Sequence, residues 1–236
     1  MSQLDLLIFD CDGVLIDSEL LASRVLADSI YRVTGIDISP REALIAFTGS
    51  SADDTQRIMR ERYGINNPAA VLADYDAHLF PQFHRHLTEM VGIPQVLDAL
   101  HIRKCVASNS RLERLVNSLG ILQIWRHFAP HVYGADMVAC GKPAPDLPLL
   151  CLERCGVDPE HALFIDDSPH GIMAAKTAGV RAVGFIAPND PRAGRADVLL
   201  SAGADYIACG AGELYDIILD LHLHEESFTF EKEADR

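Results

Sequence analysis

Residues 4–9, Leu-Asp-Leu-Leu-Ile-Phe, are almost unbroken apolar sequence. That is the pattern of a short strand buried on both faces of a parallel sheet. From Asp17 to about His86 the spacing changes to a helical one, and no segment there reads as a strand. Ser39-Pro40-Arg41-Glu42 is a helix start, with Ser at the N-cap, Pro at N1 and Glu at N3. Ser51-Ala52-Asp53-Asp54 has a similar form, and Tyr63-Gly64 and Asn66-Asn67-Pro68 punctuate further helices.

From Gly92 onward the chain alternates between strand and helix. Strands are predicted at 104–108, 131–133, 162–166, 181–186 and 205–208. Helices are predicted at 93–100, 112–119, 146–154, 171–178 and 214–221, with a charged tail fraying from His224. This alternation predicts a doubly wound parallel α/β sheet. The first strand is separated from the others by residues 17–88. We therefore expect a catalytic core of residues 1–16 and 89–236 and an inserted, all-helical cap of residues 17–88. An insertion placed directly after a strand end reads as a lid over whatever that strand end presents.

Composition narrows the classes. The chain has 236 residues, 49% hydrophobic and 23% charged, an ordinary globular balance. Its net charge of −14 argues against a general binder of nucleic acid or anionic membrane. An anionic substrate must then be attracted locally, by a metal and a few basic groups. No basic segment leads into a long apolar run at the N-terminus, and no apolar stretch reaches transmembrane length. The six cysteines include no CxxC pair, and free thiols fit a cytoplasmic location. Cys151 and Cys155, four apart in a helix, read as core packing rather than a metal site. His84 and His86 read as surface residues.

Four polar clusters fall at or near predicted strand ends. They are Asp10 and Asp12, Ser108-Asn109-Ser110, Gly141-Lys142-Pro143-Ala144-Pro145-Asp146, and Asp166-Asp167-Ser168-Pro169. In a parallel sheet all these ends lie on one edge, where open α/β folds bind ligands. Each cluster alone has a plainer reading: a turn, a helix cap, a solvated lysine, acids at a helix dipole. Their coincidence at successive strand ends favours a site. The set suits phosphoryl transfer through a carboxylate. Asp10 is placed to attack phosphorus. Mg²⁺ matches the hard oxygen donors, with Asp167 completing the protein ligands. Lys142 adds positive charge beside the nucleophile, and Ser108 with nearby amides donates to phosphoryl oxygens. Asp12 serves as the proton donor and acceptor. Ser168-Pro169 starts a helix whose positive end faces the same edge.

These motifs, in this order, resemble the haloacid dehalogenase superfamily: DxDGVLIDS, the Ser108 motif, GKPAPD, and the acidic pair of FIDDSPHGIMAAKTAG. The resemblance covers almost the whole chain. It implies a Rossmann-like core with a small helical cap, as in the phosphatase and β-phosphoglucomutase branch. It implies Asp10 as nucleophile and Asp12 as acid/base. Mg²⁺ would be held by the Asp10 carboxylate, the Asp12 backbone carbonyl and Asp167, with Asp166 in an outer or occasional role. Ser108, Asn109 and Lys142 would bind the phosphoryl group.

Asp12 and Asp167 argue against a dehalogenase, which lacks the second aspartate and needs no metal. The mutases of this branch carry a histidine on the first cap helix and basic groups around a cap loop. Here the matching positions are Ala22, Thr48 and Ala52. The expected activity is thus hydrolysis of a small phosphorylated metabolite, a sugar or sugar-acid phosphate as in the 6-phosphogluconate phosphatases. A phosphosugar mutase is the alternative. A phospho-receiver fits less well, because the acidic cluster and nucleophile come in the wrong order and the cap has no counterpart. A catalytically silent metabolite-binding protein is disfavoured because every catalytic position is filled. Specificity is expected from cap residues, with Arg24, Arg41 and Arg57 among the candidates.

Overall fold

The computed structural model describes residues 4–50, 52–188, 190 and 192–233, the last ten by backbone alone. The chain opens with β1 (Leu6–Phe9), then runs through four helices: α1 (Glu19–Thr34), α2 (Pro40–Phe47), α3 (Ala52–Tyr63) and α4 (Pro68–His86). The alternating part follows: α5 (Ile93–Ala99), β2 (Arg103–Ser108), α6 (Leu112–Asn117), β3 (Val132–Gly134), α7 (Asp146–Cys155), β4 (Ala162–Asp166), α8 (Pro169–Thr177), β5 (Arg181–Ile186), α9 (Arg195–Ser201), β6 (Tyr206–Cys209) and α10 (Ala211–Glu233). The six strands form one parallel sheet in the order β3-β2-β1-β4-β5-β6. This is the doubly wound α/β sheet with an inserted helical cap.

β1 lies at the centre, and its four side chains are buried. Leu7 and Phe9 pack into one apolar cluster with α5, α10 and the inserted helices. Leu6 and Ile8 pack into a second cluster, on the opposite face, with α7 and α8. That alternation explains the unbroken apolar run, since a strand covered on both faces has no polar side. Each such side chain contributes about 1.5–3 kcal/mol by leaving water. Cys151 and Cys155 join the second cluster together with Cys105, as core packing requires. His84 and His86 are exposed.

Local signals hold where they rest on capping chemistry. Ser39 accepts the Glu42 amide at 3.1 Å and Asn67 accepts the Ala70 amide at 3.2 Å, each followed by Pro in the first turn. Ser51, the other proposed cap, lies outside the described residues. Two elements differ from expectation. α9 escapes the sequence pattern because its apolar residues, Val198-Leu199-Leu200, are consecutive rather than periodic, and only Leu199 is buried. α10 continues to Glu233 rather than fraying at His224. No Gly or Pro follows Gly212, so no residue type stops the helix.

Candidate active site

The parallel pairing gathers the strand ends. Phe9 is in register with Val106 on one side and Ile165 on the other. The Asp10 amide donates to the Ile165 carbonyl at 2.8 Å. Asp10, Ser108 and Asp166 therefore emerge side by side. Lys142 arrives from the connection between β3 and α7, and its ammonium donates to Asp10 Oδ1 and Asp166 Oδ2, both at 2.7 Å. Asn109 holds that connection in place. Its Oδ1 accepts the Lys142 amide at 2.7 Å and its Nδ2 donates to the Lys142 carbonyl at 2.9 Å. The side chain expected to touch phosphate thus also positions the lysine.

The cluster is buried and acidic. Oxygens of Asp10, Asp166 and Asp167 lie within 4.8 Å of one another. Burial pushes the Asp10 carboxyl well above its usual value; Lys142 opposes this, and Asp166 and Asp167 add to it. Asp167 is raised the same way, by burial and then by Glu19 and Asp166, with Arg192 opposing. Arg192 reaches Asp167 Oδ2 at 2.9 Å and Glu19 Oε2 at 3.4 Å. Lys142 is raised despite burial, because two carboxylates face it.

Two glycines let the backbone close around these acids. Gly13 sits at φ +79°, and a Cβ there would stand 3.0 Å from the Asp167 carboxylate. Gly171, in the first turn of α8, lies so close to Asp166 that a methyl group would overlap its carboxylate. Gly171→Ala is therefore expected to lower stability by about 1–3 kcal/mol, the usual result of overpacking. For a chain of this size that is roughly 2–4 °C of melting temperature per kcal/mol. An unchanged thermal melt would show that Asp166 has another place to go.

Asp12 faces a different set of partners. It accepts from Ser18, from Ser110 Oγ at 3.0 Å, and from Arg114 Nη2 at 3.2 Å. Burial alone would raise its pKa, but Arg114 and the two hydroxyls outweigh it and hold the carboxyl below its ordinary value. Arg114 also donates to the Tyr75 hydroxyl at 2.8 Å, which ties α6 of the core to α4 of the inserted helices. Neither Arg114 nor Arg192 was found from sequence. An arginine within Leu-Glu-Arg-Leu, or in a Pro-rich connection, gives no local signal of what it will meet.

A cavity of about 430 Å³ between the core and the inserted helices is lined by Asp10, Asp12, Ser108, Asn109, Lys142 and Asp167. All six residues singled out by the motifs thus share one cavity. Ala22, Thr48 and Ala52 line it as well. The three candidate arginines of the cap do not. Arg57 pairs with Asp54 and Glu61 on the surface of α3, Arg24 is exposed, and Arg41 lines a separate cavity with His170 and Arg195.

The same architecture recurs in known proteins. The family model for haloacid dehalogenase-like hydrolases matches residues 7–185. A fructose-1-phosphate phosphatase of Escherichia coli (strain K12) is 33% identical over 194 residues, 75% of this chain and 94% of its own. A 6-phosphogluconate phosphatase of the same strain is 27% identical over 188 residues, 79% of this chain and 85% of its own. Among solved structures, a haloacid dehalogenase-like protein of unknown function from Agrobacterium tumefaciens str. C58 superimposes with a TM-score of 0.79 at 32% identity. The match covers 92% of this chain and 99% of that one.

Proposed function

Because the chain belongs to the haloacid dehalogenase-like hydrolases, we propose that it is a Mg²⁺-dependent phosphatase of a small phosphorylated metabolite, acting through an aspartyl phosphate on Asp10. The observation that carries this is the Lys142 ammonium bridging Asp10 and Asp166 in the cavity that also holds Asp12, Ser108 and Asp167. Phosphatases of sugar phosphates among the relatives support the substrate class. Residues 17–88 act as the cap and residues 1–16 and 89–236 as the core. We place the enzyme in the cytoplasm; among the described residues no helix is long and apolar enough to cross a membrane.

The donor set fits Mg²⁺. It consists of hard carboxylate oxygens, buried and short of positive charge, with no thiolate or imidazole among them. Asp10 and Asp167 would hold the ion, together with the Asp12 carbonyl that the family resemblance implies. When bound, Mg²⁺ neutralises charge on the carboxylates and phosphoryl oxygens.

The side chains perform the rest. Asp10 attacks phosphorus and the ester P–O bond breaks. Lys142 balances the charge of the nucleophile and the transferred group. The leaving oxygen takes its proton from Asp12. Water then attacks the phosphorus of the aspartyl phosphate and gives a proton to Asp12, releasing inorganic phosphate and restoring Asp10. The ion pair with Arg114 describes Asp12 in the ionised state the second step requires.

Ala22, Thr48 and Ala52 in the lining support a phosphatase over a mutase. A mutase must retain a bisphosphate while it reorients. Charge-assisted contacts to the distal phosphate are worth about 1.5–3 kcal/mol each, so lacking two weakens retention by roughly two orders of magnitude or more. With Mg²⁺, a panel of phosphorylated metabolites should yield inorganic phosphate, and excess chelator should remove that activity. β-Glucose 1-phosphate should give little glucose 6-phosphate even when the bisphosphate is supplied. Isomerisation faster than phosphate release would establish the mutase instead.

A further inference from the structure

Arg41 lies outside the active-site cavity but lines a second one. This second cavity, of about 420 Å³, lies beside the first, and Thr48 and Ser168 line both. One wall comes from α2 and the residue after it, through Arg41, Leu44, Ile45 and Thr48. The other comes from the start of α8, through Ser168 and His170, and from the connection after β5, through Arg192 and Arg195. Three arginines and a histidine thus line it, and among the described residues no Asp or Glu does. In a chain of net charge −14, such a concentration of basic side chains is a local attractor for anions.

The acids that serve two of these arginines lie behind them. Arg192 donates to Asp190 through Nε at 2.8 Å and Nη2 at 2.7 Å, and to Asp167 through Nη2 at 2.9 Å. The side chains of Asp190 and Asp167 are 2% and 5% exposed, so little of either reaches the cavity. Arg195 donates through Nη2 to the Asp167 carbonyl. Its Nε is buried, 3.7 Å from Asp190 Oδ2, and has no hydrogen-bond partner. The Nη1 groups of both arginines make no hydrogen bond among the described residues. The side chains of Arg41 and His170 make no hydrogen bond or ion pair among those residues either. The first turn of α8 borders the same space, and helix starts favour anions.

We infer that this cavity is a second anion site, which takes a phosphoryl group between α2 and the core. Guanidinium donors match phosphate oxygens in geometry and charge, and Arg41 and His170 hold donors that nothing else uses. Leu44 and Ile45 offer apolar surface for the organic part of a phosphate ester. Because the donors come from both walls, an occupant ties the inserted helices to the core beside the active site. It needs no Mg²⁺ to do so. The inference goes beyond the phosphatase reading and does not depend on it.

Excess chelator separates the two cavities. Without Mg²⁺ the carboxylates of Asp10, Asp166 and Asp167 repel phosphate from the active site. Inorganic phosphate is titrated into the metal-free enzyme at constant ionic strength, and thermal melts are recorded for wild type, Arg41→Gln and His170→Gln. Neither variant loses a partner, so both should melt with wild type when phosphate is absent. At about tenfold above its dissociation constant, phosphate should raise the wild-type melting temperature by roughly 3–6 °C. Each variant should lose at least about half of that rise, because one charge-assisted contact is gone. Glycerol 3-phosphate is titrated in parallel. An equal or larger rise identifies phosphate esters as the ligands and a smaller one free phosphate, and either supports the site. No rise in wild type, or an equal rise in all three proteins, overturns the inference. A loss confined to one variant overturns the bridging of α2 and the core. None of these readings requires turnover, so the test decides the site even if no phosphate ester is hydrolysed.

Discussion

Asp10→Asn is expected to abolish phosphate release, by at least about 10⁴-fold, the scale seen when a covalent nucleophile is removed. Asp10 continues from the central strand, and its Oδ1 accepts from Lys142 at 2.7 Å. Asparagine keeps the shape but cannot form the acyl phosphate. The variant should fold. Burial already disfavours the ionised form of Asp10, so a neutral amide relieves a strain rather than creating one. Lys142 keeps its second partner, Asp166, so no buried charge is orphaned. Rapid kinetics should show no phosphorylated enzyme, while circular dichroism and the thermal melt match wild type. Activity near that of wild type would remove Asp10 as the nucleophile.

Lys142→Met is expected to damage both activity and stability. The ammonium is buried and is the only cation hydrogen-bonded to Asp10 or Asp166 among the described residues. Removing one partner of a buried ion pair costs about 3–5 kcal/mol, because the carboxylates left behind repel without compensation. That corresponds to roughly 2–4 °C of melting temperature per kcal/mol at this size. Mg²⁺ should then stabilise the variant more than wild type, because the ion has more unbalanced charge to answer. A differential scan with and without Mg²⁺ measures this. A variant with wild-type stability would mean that Lys142 is not the counter-ion of the cluster.

Sequence reached the site because its determinants are local. The apolar run before Asp10 required a strand covered on both faces, and parallel strands put their ends on one edge. Four clusters at such ends therefore converge whatever the details of packing. Caps such as Ser39 and Ser168 were readable for the same reason, since their hydrogen bonds span three residues. α9 was not readable, because two turns with one buried side chain leave no period.

Legible in the residue order alone are the fold class, the inserted helices and six of the residues that line the cavity. The motif order adds the chemistry that the family resemblance implies for them. Tertiary structure alone decided what each charge faces. Asn109 became a clamp on Lys142, Arg114 became the partner of Asp12, and Arg192 closed on Asp167 and Glu19. Arg24, Arg41 and Arg57 were carried outside the cavity, and Asp76 was turned into it. Strand ends converge through backbone pairing that repeats along the chain. A side-chain ion pair depends on the angle at which two helices meet, and no local window of sequence contains that angle.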